Sequence, residues 1–328
     1  MKKTIAIVAG GDSSEHDVSM RSAAGILSFM DKEKYDCYIV EMEGKSWTAH
    51  YGDERCAIDK NDFSFTAKDG KHTFDFAYIT IHGTPGENGI LQGYFDIVKM
   101  PYSTSDVLIE SLTFNKFALN NFLRSYKEVH ISDSILLRKG QDTVPDNEII
   151  SRLGLPCFVK PNAGGSSFGV TKVKEESELR PAIEKAMNES DEVMVEKIMV
   201  GTEITCGAYK RGQEIVTFPI TEVVTSEEFF DYDAKYNGKV NEITPARLTE
   251  ETSKRVAAMT RHIYSILGCY GIIRIDYILT GEKGNETINM LEINTTPGMT
   301  ATSFIPQQVR AAGLDIKDVL SDIIEGKF

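Results

Sequence analysis

Arg274-Ile-Asp276 and Glu292-Ile-Asn294-Thr-Thr-Pro-Gly298 are the stretches from which the rest of the chain can be read. Each lies in an apolar, β-branched run, 272–279 and 287–293, and the turn between them holds Gly281, Gly284 and Asn285. Residues two apart on a strand project from the same face. Glu292 and Asn294 therefore point together, and a neighbouring strand can set Arg274 and Asp276 beside them. Two carboxylates and an amide oxygen form an oxygen-only donor set suited to Mg2+. The plain alternative is a row of solvent-facing polar positions. The turn that follows at once, with a bare backbone N–H at Gly298 next to Arg274, favours a metal site.

Working outward, three weaker clusters fit the same picture. Lys160-Pro-Asn-Ala-Gly-Gly-Ser-Ser-Phe-Gly169 places a lysine at a strand end before a Gly- and Ser-rich loop. Such a loop offers N–H groups and hydroxyls to phosphate oxygens, although a flexible hairpin reads alike. It is not a G-x-x-x-x-G-K-[ST] loop, and no G-x-G-x-x-G follows the first strand, which disfavours a dinucleotide oxidoreductase. Glu196-Lys197-Ile-Met199, with Glu203 behind it, can present backbone groups to an adenine edge and a carboxylate to a ribose. Gly10-Gly-Asp-Ser-Ser-Glu15 ends the first strand, where ligands of open parallel sheets bind. Glu15 could grip an ammonium group there, or merely suit a helix N-terminus.

The architecture expected around these residues is α/β followed by α+β. Residues 4–9 read as a strand and 18–30 as an amphipathic helix, with Ser14 and Asp17 spaced like a capping box. Residues 35–41 and 76–81 read as further strands, with a hairpin turning at Asp69-Gly70. Together they imply a parallel α/β domain of about 100 residues. Residues 105–126 read as helical, and 145–197 as a small α+β block. The stretch 221–245 is polar, weakly periodic and long enough to be a functional loop. A helix over 250–267 ends at Gly268, and two short helices finish the chain. The division expected is 1–104, 105–196 and 197–328.

Bulk properties exclude several classes. The 328 residues carry a formal net charge of −13, which disfavours nucleic acid and anionic membranes as partners. Five scattered cysteines without C-x-x-C suggest free buried thiols in a reducing compartment. The opening apolar run is too short for a signal peptide, and no stretch reaches the ~20 apolar residues of a membrane span, so a cytoplasmic protein is expected.

The order of motifs resembles that of the D-alanine–D-alanine ligases of the ATP-grasp superfamily, across almost the whole chain. It runs from Gly10-Gly-x-Ser-x-Glu15 through His82-Gly83…Gly86-Glu87-Asn88-Gly89…Gln92-Gly93 and Lys160-Pro…Gly165-Ser166-Ser167…Gly169. Glu196-Lys197, Phe230-Asp-Tyr-Asp-Ala-Lys235-Tyr236, Arg274-Ile-Asp276 and Glu292-Ile-Asn294-Thr-Thr-Pro-Gly298-Met-Thr300 complete it. The resemblance implies an ATP-grasp fold, with an N-terminal parallel α/β domain and two α+β subdomains clasping ATP. It implies ligation of two D-alanines for peptidoglycan precursors, two Mg2+ ions with Mn2+ able to substitute, and a homodimer.

By the same resemblance, Lys116, Lys160, Ser167, Glu196, Lys197, Met199, Glu203 and Lys235 contact ATP. Asp276, Glu292 and Asn294 hold the metal. Glu15 and His82 lie at the first D-alanine, and Lys235, Ser303 and Phe304 at the second. Phe304 stands where leucine is frequent, and Gly164 where some relatives carry glutamate. Ser166, Glu15 and Tyr236 form a hydrogen-bonded set, while Arg274 and the Gly298 N–H meet the tetrahedral oxyanion. The 221–245 loop is the expected lid. A D-alanine–D-lactate ligase, another ATP-grasp carboxylate–amine ligase and a non-catalytic nucleotide sensor remain the alternatives, with Tyr236 resembling the dipeptide-forming group.

Overall fold

The computed structural model describes residues 2–141, 144–165, 169–225 and 240–328. Strand β1 (Lys3–Gly10) is central to the first sheet and apolar on both sides: Ile5, Ile7 and Ala9 face one core, Ala6 and Val8 another. That is the composition of a strand covered on both faces. Helix α1 (His16–Phe29) follows, then β2 (Tyr35–Glu43), β3 (Ser46–Tyr51), β4 (Glu54–Asp59), β5 (Ser64–Ala67), β6 (Gly70–His72) and β7 (Phe76–Ile79). The sheet order is β6-β5-β4-β3-β2-β1-β7.

Only β1 pairs in parallel, with β2 and β7; β2 through β6 form an antiparallel meander. The parallel α/β domain with one hairpin expected from the sequence is thus a mixed sheet, parallel at β1 and antiparallel over a longer stretch than the hairpin at Asp69-Gly70. Strands β3 and β4 were missed because they are half-buried and mix polar with apolar residues. The helix start is also corrected: Glu15 is the N-cap residue, with no side-chain cap, rather than Ser14.

Helices α2 (Ile90–Val98), α3 (Val107–Phe114) and α4 (Lys116–Leu123) come next. The single helical stretch expected over 105–126 is split at Asn115, whose extended backbone ends α3 and whose side chain caps α4 by accepting the Ala118 N–H at 2.9 Å. After β8 (His130–Ile131) the second sheet is built from β9 (Ser134–Arg138), β10 (Cys157–Pro161), β11 (Thr171–Val173) and β12 (Glu192–Lys197), in the order β11-β10-β12-β9. Helices α5 (Asp146–Leu153) and α6 (Glu176–Met187) close its core.

The third sheet holds β13 (Thr202–Arg211), β14 (Glu214–Thr217), β15 (Thr221–Thr225), β16 (Val240–Ile243), β17 (Ile273–Thr280) and β18 (Thr287–Asn294), with β8 at its edge. The long loop expected over 221–245 therefore begins and ends as paired strands, β15 against β16, and its middle lies outside the described residues. Helix α7 (Glu250–Leu267) covers one face of this sheet and stops at Gly268, which adopts φ +67°. Helices α8 (Phe304–Ala311) and α9 (Ile316–Glu325) pack against β1 and α1, joining the end of the chain to its beginning. The five cysteines are free, four buried and Cys37 partly so. Among the described residues, no helix is long and apolar enough to cross a membrane.

Candidate active site

Strands β17 and β18 are antiparallel neighbours, with Arg274 opposite Asn294 and Asp276 opposite Glu292. Directly opposed residues share a face. The intervening Ile273, Ile275, Tyr277, Met290 and Ile293 all enter the apolar core under α7, so the four polar side chains occupy the other face together. The pairing shifts between Asp276 and Tyr277, whose partners are Glu292 and Met290, leaving Leu291 as the extra residue. Bulges of this kind re-aim side chains beside active sites.

Arg274 and Asp276 were expected to act separately, on the oxyanion and on the metal. The structure joins them: Arg274 Nε–H and Nη2–H donate to the two Asp276 carboxylate oxygens at 2.9 and 2.8 Å. Burial opposes the guanidinium charge, but Asp276, Glu292 and Glu203 outweigh it and hold the proton more tightly than usual. Phe304, the first residue of α8, lies under the guanidinium, 5.2 Å from ring centre to Cζ. Ser303 precedes it; its Oγ accepts the Thr300 N–H at 3.1 Å, and a Cβ on Gly298 would lie 3.0 Å from that oxygen.

A cleft beside this face is lined by Glu15, His82, Glu87, Lys116, Gly164, Gly165, Arg274, Glu292 and Asn294, among others. Glu15 reaches across it, since a Cβ on Gly165 would stand 2.6 Å from the Glu15 carboxylate. His82 is buried, with Nε2 3.4 Å from Ser22 Oγ. Lys116 Nζ donates to the Gly164 carbonyl at 2.6 Å, tying α4 to the loop after β10. Burial makes the Lys116 ammonium easier to deprotonate, and the charge of Glu292 is the largest counterweight.

Behind Lys116, Lys160 on β10 and Glu196 on β12 form a buried ion pair at 2.8 Å. Lys197, at the exposed end of β12, carries a carbonyl that accepts the Ser132 hydroxyl at 2.6 Å. Met199 is half-buried in the connection to β13, and Glu203 sits on β13 opposite Val223 and Ile278. Ser166, Ser167, Lys235 and Tyr236 lie outside the described residues.

Glu87, given no role of its own by the sequence, lines the cleft and accepts the Gly83 N–H at 2.6 Å. Burial and the charge of Glu15 push its carboxyl up to about 7. Its position inside the Gly-rich 83–89 turn was the available signal. Glu110 was missed altogether: it is fully buried on α3 and binds Thr295, one residue beyond Asn294. A lone acid in an apolar helix gives no sequence sign of such a partner.

Chemically, the face offers hard oxygen donors from Asp276, Glu292 and Asn294, which suit a divalent cation such as Mg2+. Among the described residues no three His, Cys, Asp or Glu side chains cluster for a metal, and the Asn294 amide oxygen accepts the Thr296 N–H at 3.1 Å. Lysines on one side and an arginine on the other suit a polyphosphate and a developing oxyanion.

Three sheets that bring lysines and an oxygen-donor face to one cleft are the architecture of the ATP-grasp ligases. The fold is similar to that of the VanG D-Ala:D-Ser ligase from Enterococcus faecalis, with TM-score 0.88 and 29% identity over 100% of both chains. It is also similar to the D-alanine–D-alanine ligase from Bacillus anthracis complexed with ATP, with TM-score 0.77 and 30% identity over 99% of this chain and 97% of that one. Residues 4–105 match the family described as D-ala D-ala ligase N-terminus, and 127–325 its C-terminus. The D-alanine–D-alanine ligase of Phocaeicola vulgatus is 64% identical over 100% of both chains, and that of Porphyromonas gingivalis W83 55% identical over 99% of this chain and 98% of the relative. The chain belongs to the D-alanine–D-alanine ligase family.

Proposed function

We propose that the chain joins two D-alanines into D-alanyl-D-alanine, converting ATP to ADP and phosphate, for peptidoglycan precursor synthesis. The observation that carries this reading is the common face of Arg274, Asp276, Glu292 and Asn294, of which Arg274, Glu292 and Asn294 line a cleft with Glu15, His82 and Lys116. The full-length relatives named as ligases of the same substrate support it.

Glu15 receives the ammonium of the first D-alanine, with His82 beside it. The carboxylate oxygen of that D-alanine attacks the γ-phosphorus and ADP leaves, giving an acyl phosphate. Lys116 and Lys160 neutralise charge that develops on the phosphates. The amine of the second D-alanine then attacks the acyl carbon, phosphate departs and the amine loses a proton. Arg274 and the Gly298 N–H stabilise the tetrahedral oxyanion. Asp276, Glu292 and Asn294 would hold the divalent ions, two Mg2+ replaceable by Mn2+, which would supply positive charge to offset that of the phosphates. Lys197, Met199 and Glu203 border the adenosine, and Ser303 with Phe304 border the second amino acid. Ser166, Ser167, Lys235 and Tyr236 keep the roles implied by the family resemblance.

The first two sheets fit the division 1–104, 105–196 and 197–328, while β8, from the middle part, pairs at the edge of the third sheet. A cytoplasmic homodimer completes the reading.

The test is ADP release with D-alanine against L-alanine, with and without Mg2+. Release only with D-alanine and metal is expected; equal release with L-alanine, or none with D-alanine, overturns the reading. Adding D-lactate and D-serine as competing second substrates separates the dipeptide ligase from its ester- and serine-forming relatives.

A further inference from the structure

The turn after β18 is held from outside its own sheet, at three points. Thr295 Oγ1 donates to Glu110 Oε2 at 2.5 Å, Thr296 Oγ1 to the Ile81 carbonyl at 3.1 Å, and the Met299 N–H to Ser22 Oγ at 3.3 Å. Ile81 and Ser22 both adjoin His82 and so belong to the cleft already described. Glu110 does not: it lies on α3, outside every motif, with no exposed surface.

Its second carboxylate oxygen accepts the Ser105 N–H at 3.0 Å. The Ser105 hydroxyl, in turn, accepts the Tyr270 N–H at 3.0 Å and lies 3.3 Å from the Tyr270 carbonyl. Tyr270 leads into β17, and Thr295 leads out of β18. These are the two adjacent strand ends that carry Arg274 and Asn294. One buried carboxyl therefore bridges both edges of the polar face. A carboxyl in that position costs free energy unless its oxygens are bonded, and an apolar residue would fill the same space more cheaply.

We propose that Glu110 is a positioning residue for the divalent-cation end of the site: it holds Thr295 directly and Tyr270 through Ser105, and so sets the spacing of Asn294 from Arg274. The role rests on the ligase reading above. It predicts that loosening Glu110 weakens the metal more than the amino acids, because Ile81 and Ser22 hold the His82 side of the turn through bonds of their own.

The experiment titrates Mn2+ into the full chain with ADP present, following free Mn2+ by electron paramagnetic resonance. D-alanine-dependent phosphate release at varied Mg2+ runs in parallel. Glu110→Met removes both acceptor oxygens at similar length, Thr295→Val removes only the hydroxyl, and Glu110→Gln keeps hydrogen-bonding atoms at both ends. Loss of one net hydrogen bond corresponds to about fivefold to tenfold in affinity. Glu110→Met and Thr295→Val should weaken Mn2+ binding and raise half-saturating Mg2+ by about that factor. KM for D-alanine should stay within about twofold and Glu110→Gln should recover most of the loss. The double variant should be little worse than Glu110→Met alone, since the two partners share one bond.

Unchanged Mn2+ binding in a folded variant, or an equal fall across metal and amino-acid parameters, overturns the proposal. If Glu110→Met fails to fold, Thr295→Val decides. A parent protein without D-alanine-dependent phosphate release would instead overturn the ligase reading itself.

Discussion

Arg274 is a buried cation held by one carboxylate, and in the proposed reaction it also meets the oxyanion. Asp276 occupies two of its N–H groups at 2.9 and 2.8 Å, and Phe304 supports its plane. A preorganised donor of this kind is worth about 3 kcal/mol to an oxyanion transition state. Arg274→Gln should therefore lower kcat on the order of 100- to 1000-fold, measured by steady-state phosphate release, with a smaller change in KM for ATP. Glu87 tests the electrostatics of the same cleft. Its carboxyl is raised from 4.5 to about 7, so the folded chain binds a proton there that the unfolded chain has released. Stability should then fall as pH rises from about 4.5 to about 7, and Glu87→Gln should flatten that decline. Urea midpoints of the ligand-free protein across this range check it; parallel curves for parent and variant would remove Glu87 as the cause.

Between α3 and α4, a single residue decides how Lys116 meets the loop after β10. The composition of 105–126 is helical throughout, yet Asn115 breaks it because its side chain bonds the next helix rather than continuing the first. Asn115 Oδ1 accepts both the Ala118 N–H and Asn162 Nδ2–H at 2.9 Å, and Lys116 then reaches Gly164. Asn115→Ala should lower stability by about 1 kcal/mol and weaken nucleotide binding as well, measured by urea unfolding and by titration with ADP. Loss of stability with unchanged ADP affinity would detach the cap from the site. Strands β17 and β18 show the opposite case. Their apolar alternation was legible directly, and the observed bounds differ from the expected ones by one residue at most of the ends.

Across the whole molecule, the first and last parts of the chain share one core. Ile5, Ile7 and Ala23 pack in the same cluster as Tyr209, Ile305, Val319 and Ile323. Lys3 Nζ bonds Glu325 at 3.0 Å and the Tyr35 hydroxyl bonds the same carboxylate at 2.8 Å. Ile305 is fully buried at this junction, so Ile305→Ala should cost about 2–5 kcal/mol. Hydrogen exchange should show β1 and β13 losing protection together, whereas the second sheet, with its separate core, keeps its own. Loss confined to α8 would contradict a shared core.

Local chemistry in the amino-acid order was enough for the shared polar face of Arg274, Asp276, Glu292 and Asn294, the helix ending at Gly268 and the ligase family, because spacing of two on a strand and a terminal Gly are read within a few residues. The antiparallel meander of the first sheet, the break at Asn115, the pairing of Arg274 with Asp276 and the grip of Glu110 on Thr295 were decided only in three dimensions. Their partners are set by which surfaces meet after folding: Glu110 and Thr295 stand 185 positions apart, and nothing in either one's immediate neighbours encodes the other.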